Sequence, residues 1–168
     1  MKMLRLSVFI ISVFVTFSAT ANPIQNLDKV GSAKLRVLVW NIYESALYTP
    51  SGEFEGIVPG LALEIEYKRN ISKKAFIDYT RDEWQKQSLY KDESERWLAD
   101  LRNIFPSVRK GDRLVLKVAD ALSSQFYFND EFIGEISNAS FTNEFLAIWL
   151  SEQSSYPDLR DQLVGDTR

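Results

Sequence analysis

Leu61-Ala62-Leu63-Glu64-Ile65-Glu66-Tyr67-Lys68 is the stretch that decides how this chain folds. Apolar residues at 61, 63, 65 and 67 alternate with small or charged ones at 62, 64, 66 and 68. That period of two marks an antiparallel strand with one face in a core and one toward water. A sheet with a single apolar face needs a second layer to cover it. Upstream, Lys34-Leu-Arg-Val-Leu-Val-Trp-Asn-Ile-Tyr43 and on to Tyr48 is rich in β-branched and aromatic residues, which predicts one strand over 34–48 buried on both faces. Thr49-Pro50-Ser51-Gly52 supplies the turn between the two.

The covering layer follows. Ser72 is placed to cap a helix over 73–87, with Phe76, Tyr79 or Thr80, and Trp84 near helical spacing. A second helix is expected over 92–104, its apolar stripe formed by Trp97, Leu98, Leu101, Ile104 and Phe105, with Pro106 past its end. Lys110-Gly111-Asp112 reads as a turn into a strand over 113–118. The segments 124–128 and 131–136, joined by Asn129-Asp130, read as a hairpin. Phe141, Phe145, Ile148 and Trp149 fall on one side of a helix that begins at Ala139 or Ser140, and are expected as a packing stripe. Pro157 stands near the start of a last short helix and Gly165 at its stop. Strands, two helices, strands, two helices: the order predicts an α+β domain with helices packed on an antiparallel sheet.

Residues 1–21 read as an address. Lys2 and Arg5 precede an apolar run over 6–17, and Ala19-Thr20-Ala21 gives the small-x-small pattern of a cleavage site after Ala21. A run of about 12 residues is short of the ~18–20 that span a bilayer, so a cleaved signal peptide is expected, not a stable membrane anchor. Its removal would leave 22–168 as one domain in the periplasm or outside the cell. Lys2 and Arg5 leave with it, so the remaining 147 residues carry 18 Lys+Arg against 23 Asp+Glu, a net charge of −5. That balance argues against nucleic acid and gives no overall attraction to an anionic membrane. The chain has no Cys and no His. Disulfides, thiolate chemistry, Ser-His-Asp catalysis and zinc sites are therefore absent, and no metal or cofactor is expected. The charge-rich segments Asp78-x-x-Arg81-Asp82-Glu83 and Asp92-Glu93-x-Glu95-Arg96 read as solvated helix faces.

Several blocks in order resemble the exported bacterial branch of the chalcone isomerase-like family. They are Gly31-x-x-x-Leu-Arg-Val-Leu-Val-Trp-Asn-Ile-Tyr43-Glu-Ser-Ala-Leu-Tyr48, Ala62-Leu-Glu-Ile-Glu-Tyr-Lys-Arg-Asn-Ile71, Pro106-x-Val108-x-x-Gly111-Asp112, Phe126-Tyr-Phe-Asn129, Gly134-x-Ile136, Phe145-x-x-Ile148-Trp-Leu150 and Pro157-Asp-Leu-Arg160. The resemblance implies an open-faced β-sandwich, a long antiparallel sheet backed by helices. It also implies two functions. Plant enzymes of the family cyclise chalcones with an arginine upstream of the first core strand and a threonine within it. Here Asn22 to Val30 holds no arginine and the threonine position is the apolar Leu38. Other members bind fatty acids, holding the carboxylate with Arg and Tyr beneath the sheet. Non-catalytic binding of a small hydrophobic carboxylate such as a fatty acid is the expectation, with a chalcone isomerase-type isomerase working through Arg and Tyr as the alternative.

The ligand-binding candidates are Arg69, Tyr67, Trp40 and Tyr43. If the alternation of 61–67 continues, Arg69 ends an otherwise apolar face. Its planar guanidinium would there suit a carboxylate, with Tyr67 adding a neutral donor. Trp40 and Tyr43 would line the same space. A structural arginine, snorkelling or paired, and aromatic residues that are simply core compete with that assignment.

Overall fold

In a computed structural model, residues 22–166 are described; the expected leader at 1–21 lies outside the described residues. Six strands, β1 (Asp28–Val37), β2 (Trp40–Thr49), β3 (Ala62–Tyr67), β4 (Arg113–Val118), β5 (Ser124–Phe128) and β6 (Glu131–Ile136), form one antiparallel sheet in sequence order. Helices α1 (Lys73–Lys86) and α2 (Ser94–Ile104) leave the sheet after β3, and α3 (Ala139–Leu150) and α4 (Pro157–Val164) follow β6. The α+β, open-faced arrangement matches the expectation from the strand and helix order.

One element differs. The segment 34–48 is a hairpin, not a single strand: β1 ends at Val37, Leu38 and Val39 make the turn, and β2 starts at Trp40, which pairs with Val37. β1 also begins at Asp28, earlier than its apolar residues suggest. The turn is hidden in sequence because it lacks Gly, Asn and Asp; Leu38 takes a φ of 55° to make it. Nor is the segment buried on both faces. Ala33, Leu35, Tyr43, Ser45 and Leu47 face inward, while Lys34 and Glu44 form a cross-strand ion pair at 2.9 Å on the other side.

β3 obeys its pattern. Leu63, Ile65 and Tyr67 are buried in the main core, and Glu64 and Glu66 join ion pairs with Arg113 and Lys68 on the open face. Glu44, held by Lys34 and Lys68, has its carboxyl below the usual range because both ammonium groups hydrogen-bond it. The Asn129-Asp130 turn has φ of 49° and 71°, the two left-handed residues that match the twist of a tight hairpin.

Helix starts follow their caps. Ser72 Oγ accepts from Ala75 N at 3.1 Å, and Asn138 Oδ1 accepts from Phe141 N at 2.8 Å. Asn138→Ala is expected to cost about 1 kcal/mol in denaturant unfolding, while Asn138→Asp keeps most of that; equal stabilities for all three would show the cap to be idle. The core between the layers is aromatic. Phe105, Phe126, Phe141 and Phe145 meet edge-on, tilted or stacked at ring separations from 4.9 to 6.5 Å. Trp84 is fully buried against Trp97 and Phe141 and donates its Nε1–H to the Glu144 carbonyl at 2.9 Å. The stripe expected on α3 is therefore packing, as its spacing implies.

Candidate functional site

Polar groups collect at one place in this apolar layer. Tyr43 on β2 and Tyr67 on β3 are cross-strand partners, so their side chains emerge together on the inner face, rings 6.4 Å apart and edge-on. Trp149 on α3 donates its Nε1–H to the Tyr43 hydroxyl at 2.9 Å. Tyr79 and Glu83 lie one helical turn apart on α1, a spacing that sends both to the same face. Tyr79 is half-buried against the same core, and the charges of Tyr43, Glu83, Tyr156 and Tyr67 act, after burial, to raise its hydroxyl pKa.

The electrostatics follow from burial. Tyr43, Tyr67 and Tyr79 all hold their hydroxyl protons well above the ordinary phenol value. For each the chief cause is loss of water around a phenolate; the Trp149 donor works against this at Tyr43, and the charge of Glu83 adds to it at Tyr43 and Tyr79. These phenols are neutral at any physiological pH. Glu83 is buried and neutralised locally: Lys86 Nζ lies 2.8 Å from Oε1 and Ser155 Oγ donates to Oε2 at 2.6 Å. The hydroxyls of Tyr67 and Tyr79 donate to no group among the described residues. Tyr67 and Tyr79 therefore each offer an uncommitted neutral donor.

The four candidate residues separate into two pairs. Tyr43 and Tyr67 stand together in the buried cluster. Arg69 does not share their face: β3 ends at Tyr67, the alternation stops there, and Arg69 is exposed, its guanidinium 4.3 Å above the Trp40 ring. The expected continuation of the strand face fails because Lys68 N still bonds to Ile42 O but the chain then turns toward α1. Glu83 was expected on a solvated face and is buried instead. Tyr79 and Glu83 were legible only through their i,i+4 spacing beside Phe76 and Trp84, which points the whole set inward.

Room beneath the sheet is small. The space enclosed by Leu63, Ile65, Phe76, Phe105, Phe126 and Phe145 is about 20 Å³, against the ~300–1,000 Å³ typical of small-molecule pockets. Four phenylalanine rings and the aliphatic side chains of β3 and β4 fill the space between sheet and helices. A larger concavity, about 700 Å³, is an open dish on α4 lined by Asp158, Asp161, Asp166 and Arg160 among others. Among the described residues no helix is long and apolar enough to cross a membrane, and no three carboxylates converge as a metal would require.

Known proteins share this architecture. An Arabidopsis thaliana fatty-acid binding protein superposes with a TM-score of 0.65 at 9% identity, covering 84% of this chain and 88% of that one. That likeness shows the fold. An uncharacterised protein of Haemophilus influenzae is 26% identical over 168 residues, all of this chain and 80% of that one. The family model described as chalcone isomerase-like matches residues 20–165, which takes in every strand and helix above. With its meander of six strands, its inner helical layer and this match over nearly the whole sequence, the chain belongs to the chalcone isomerase-like family.

Proposed function

We propose that this protein binds a small hydrophobic carboxylate of the fatty-acid type without transforming it, and does so outside the cytoplasm once residues 1–21 are removed. The observation that carries the reading is the pair of unengaged phenols, Tyr67 and Tyr79, on the inner side of the sheet beside a phenylalanine-rich apolar layer. The family, and a neighbour of the same fold that is a fatty-acid binding protein, support it. The head group would accept from the two hydroxyls. The chain would enter by turning aside Phe76, which is half-buried, and Phe145 behind it.

The small enclosed space favours a second reading, a scaffold packed shut that holds nothing. It also weighs against an isomerase, which needs room for a two-ring substrate beside its donors. Native mass spectrometry of the protein purified from a periplasm, with extraction of whatever accompanies it, separates the readings. The binding reading expects a retained fatty acid, and palmitate affinity reduced at least about tenfold in the Tyr67→Phe, Tyr79→Phe variant. Arg69→Ala should leave that affinity unchanged. A clean apo mass that stays clean after incubation with palmitate would leave the closed scaffold standing.

A further inference from the structure

The β1–β2 hairpin ends in four consecutive exposed apolar residues, Val37-Leu38-Val39-Trp40; Leu38 is 91% exposed, Val39 86% and Trp40 54%. Single exposed apolar side chains are ordinary, but four in a row at a projecting tip are not. The backbone there is also unfavourable for its residue: Leu38 holds a φ of 55°, where a tight turn takes Gly, Asn or Asp at less strain. Exposure and strain at the same side chain both oppose stability, which points to a use for the side chain itself.

The surroundings say what would cover it. No acidic residue occurs from Lys34 to Tyr43. Arg36, one residue from the tip, is exposed and bonds Asn41 Oδ1 at 2.8 Å. Arg69 lies over the Trp40 ring and pairs with no carboxylate among the described residues. Lys110 N bonds to Asn70 Oδ1 at 3.0 Å, which brings exposed Arg109 and Lys110 to the same end of the sheet. Of the acids nearby, Glu66 is held by Lys68, and Asp112 accepts from Arg109 N and Asn129. The result is an apolar, tryptophan-bearing tip with two arginines, Arg36 and Arg69, beside it and Arg109 and Lys110 at the same end of the sheet. An indole settles at the headgroup level, aliphatic side chains pass just below it, and arginines meet lipid phosphates. We propose that this hairpin tip docks the protein reversibly on an anionic lipid bilayer. The net charge of −5 gives no general attraction, so the contact would be local and oriented, tip first. The inference is independent of what the layer beneath the sheet holds.

The test uses the full-length mature protein with vesicles of equal parts phosphatidylglycerol and phosphatidylcholine, and with pure phosphatidylcholine. Trp84, Trp97 and Trp149 are buried, so a blue shift on vesicle addition reports Trp40, as does quenching by lipids brominated near the headgroup. Binding to the anionic vesicles is expected, weakened by salt. Leu38→Ser with Val39→Ser should lower it about tenfold or more, and Arg36→Gln with Arg69→Gln about tenfold. Leu38→Gly, which relieves the turn, should raise the melting temperature while lowering vesicle binding, so lost binding cannot be blamed on lost folding. Failure of the wild-type protein to bind anionic vesicles at low ionic strength would overturn the proposal. So would binding that the serine variant leaves unchanged, or self-association through the tip in place of vesicle binding.

Discussion

Gly31→Ala should unfold this protein at far lower denaturant than the wild type, with a loss of about 3 kcal/mol or more and a fall in Tm of roughly 10 °C. A methyl group at this position would sit 2.1 Å from the Gln162 carbonyl oxygen and 2.7 Å from that of Leu163. Those atoms are backbone, so no side-chain rotation relieves the contact; α4 has to move off β1. Its departure withdraws Leu159 and Leu163, both buried in the core. Gly31 also follows the bulge at Val30, where β1 shifts register against β2, so β1 cannot easily give way either. Gly165, which ends α4 at a φ of 75°, is the control. Gly165→Ala meets no close atom and should cost only about 1 kcal/mol, from backbone conformation alone. Comparable urea midpoints for Gly31→Ala and Gly165→Ala would mean that α4 is not seated on β1 as described.

Much of the fold was legible because periodicity and punctuation agreed. Leu61 to Tyr67 declared a one-faced sheet. Ser72, Pro106, Pro157 and Gly165 bounded helices by their backbone preferences, and Asn129-Asp130 marked a hairpin. The β1–β2 turn escaped because Leu38 and Val39 are strand formers by composition, and nothing local betrays a turn that strain allows. Half of the site was legible for a similar reason. Tyr43 and Tyr67 follow from strand alternation, but their register as cross-strand neighbours is a long-range fact. Tyr79 and Glu83 belong to them only through the packing of α1 on the sheet. Arg69 shows the opposite limit. Its chemistry suggested a buried anchor, whereas the strand's end two residues earlier leaves it outside, stacked on Trp40.

Tyr43 and Tyr67, both buried, and the half-buried Tyr79 set the second large effect, a steep alkaline limit to stability. The hydroxyls of Tyr43, Tyr67 and Tyr79 lose protons less readily in the folded protein than in the unfolded chain, chiefly because burial denies water to the phenolate. Below pH 10 both states hold these protons and stability does not change through them. Above pH 10 the unfolded chain releases them while the folded protein retains them, so unfolding gains about 1.4 kcal/mol per pH unit for each group. Three such groups give a slope of roughly 4 kcal/mol per pH unit, enough to exhaust a typical domain's ~5–15 kcal/mol within one to four units. The pH range below that limit should be quiet, because a chain without His or Cys has no side chain with an ordinary pKa between 5 and 8. Circular dichroism and tyrosinate absorbance followed together from pH 7 to 12.5 should show an early phase from the tyrosines outside this group. A later, cooperative phase should coincide with loss of structure. Tyr67→Phe should reduce the slope by about one third and move the alkaline midpoint upward, since it removes one of the three linked protons. Titration of all seven tyrosines in one phase near pH 10, with the fold intact, would show that water already reaches the phenols. It would also remove the burial at Tyr67 on which its place in the linked group rests.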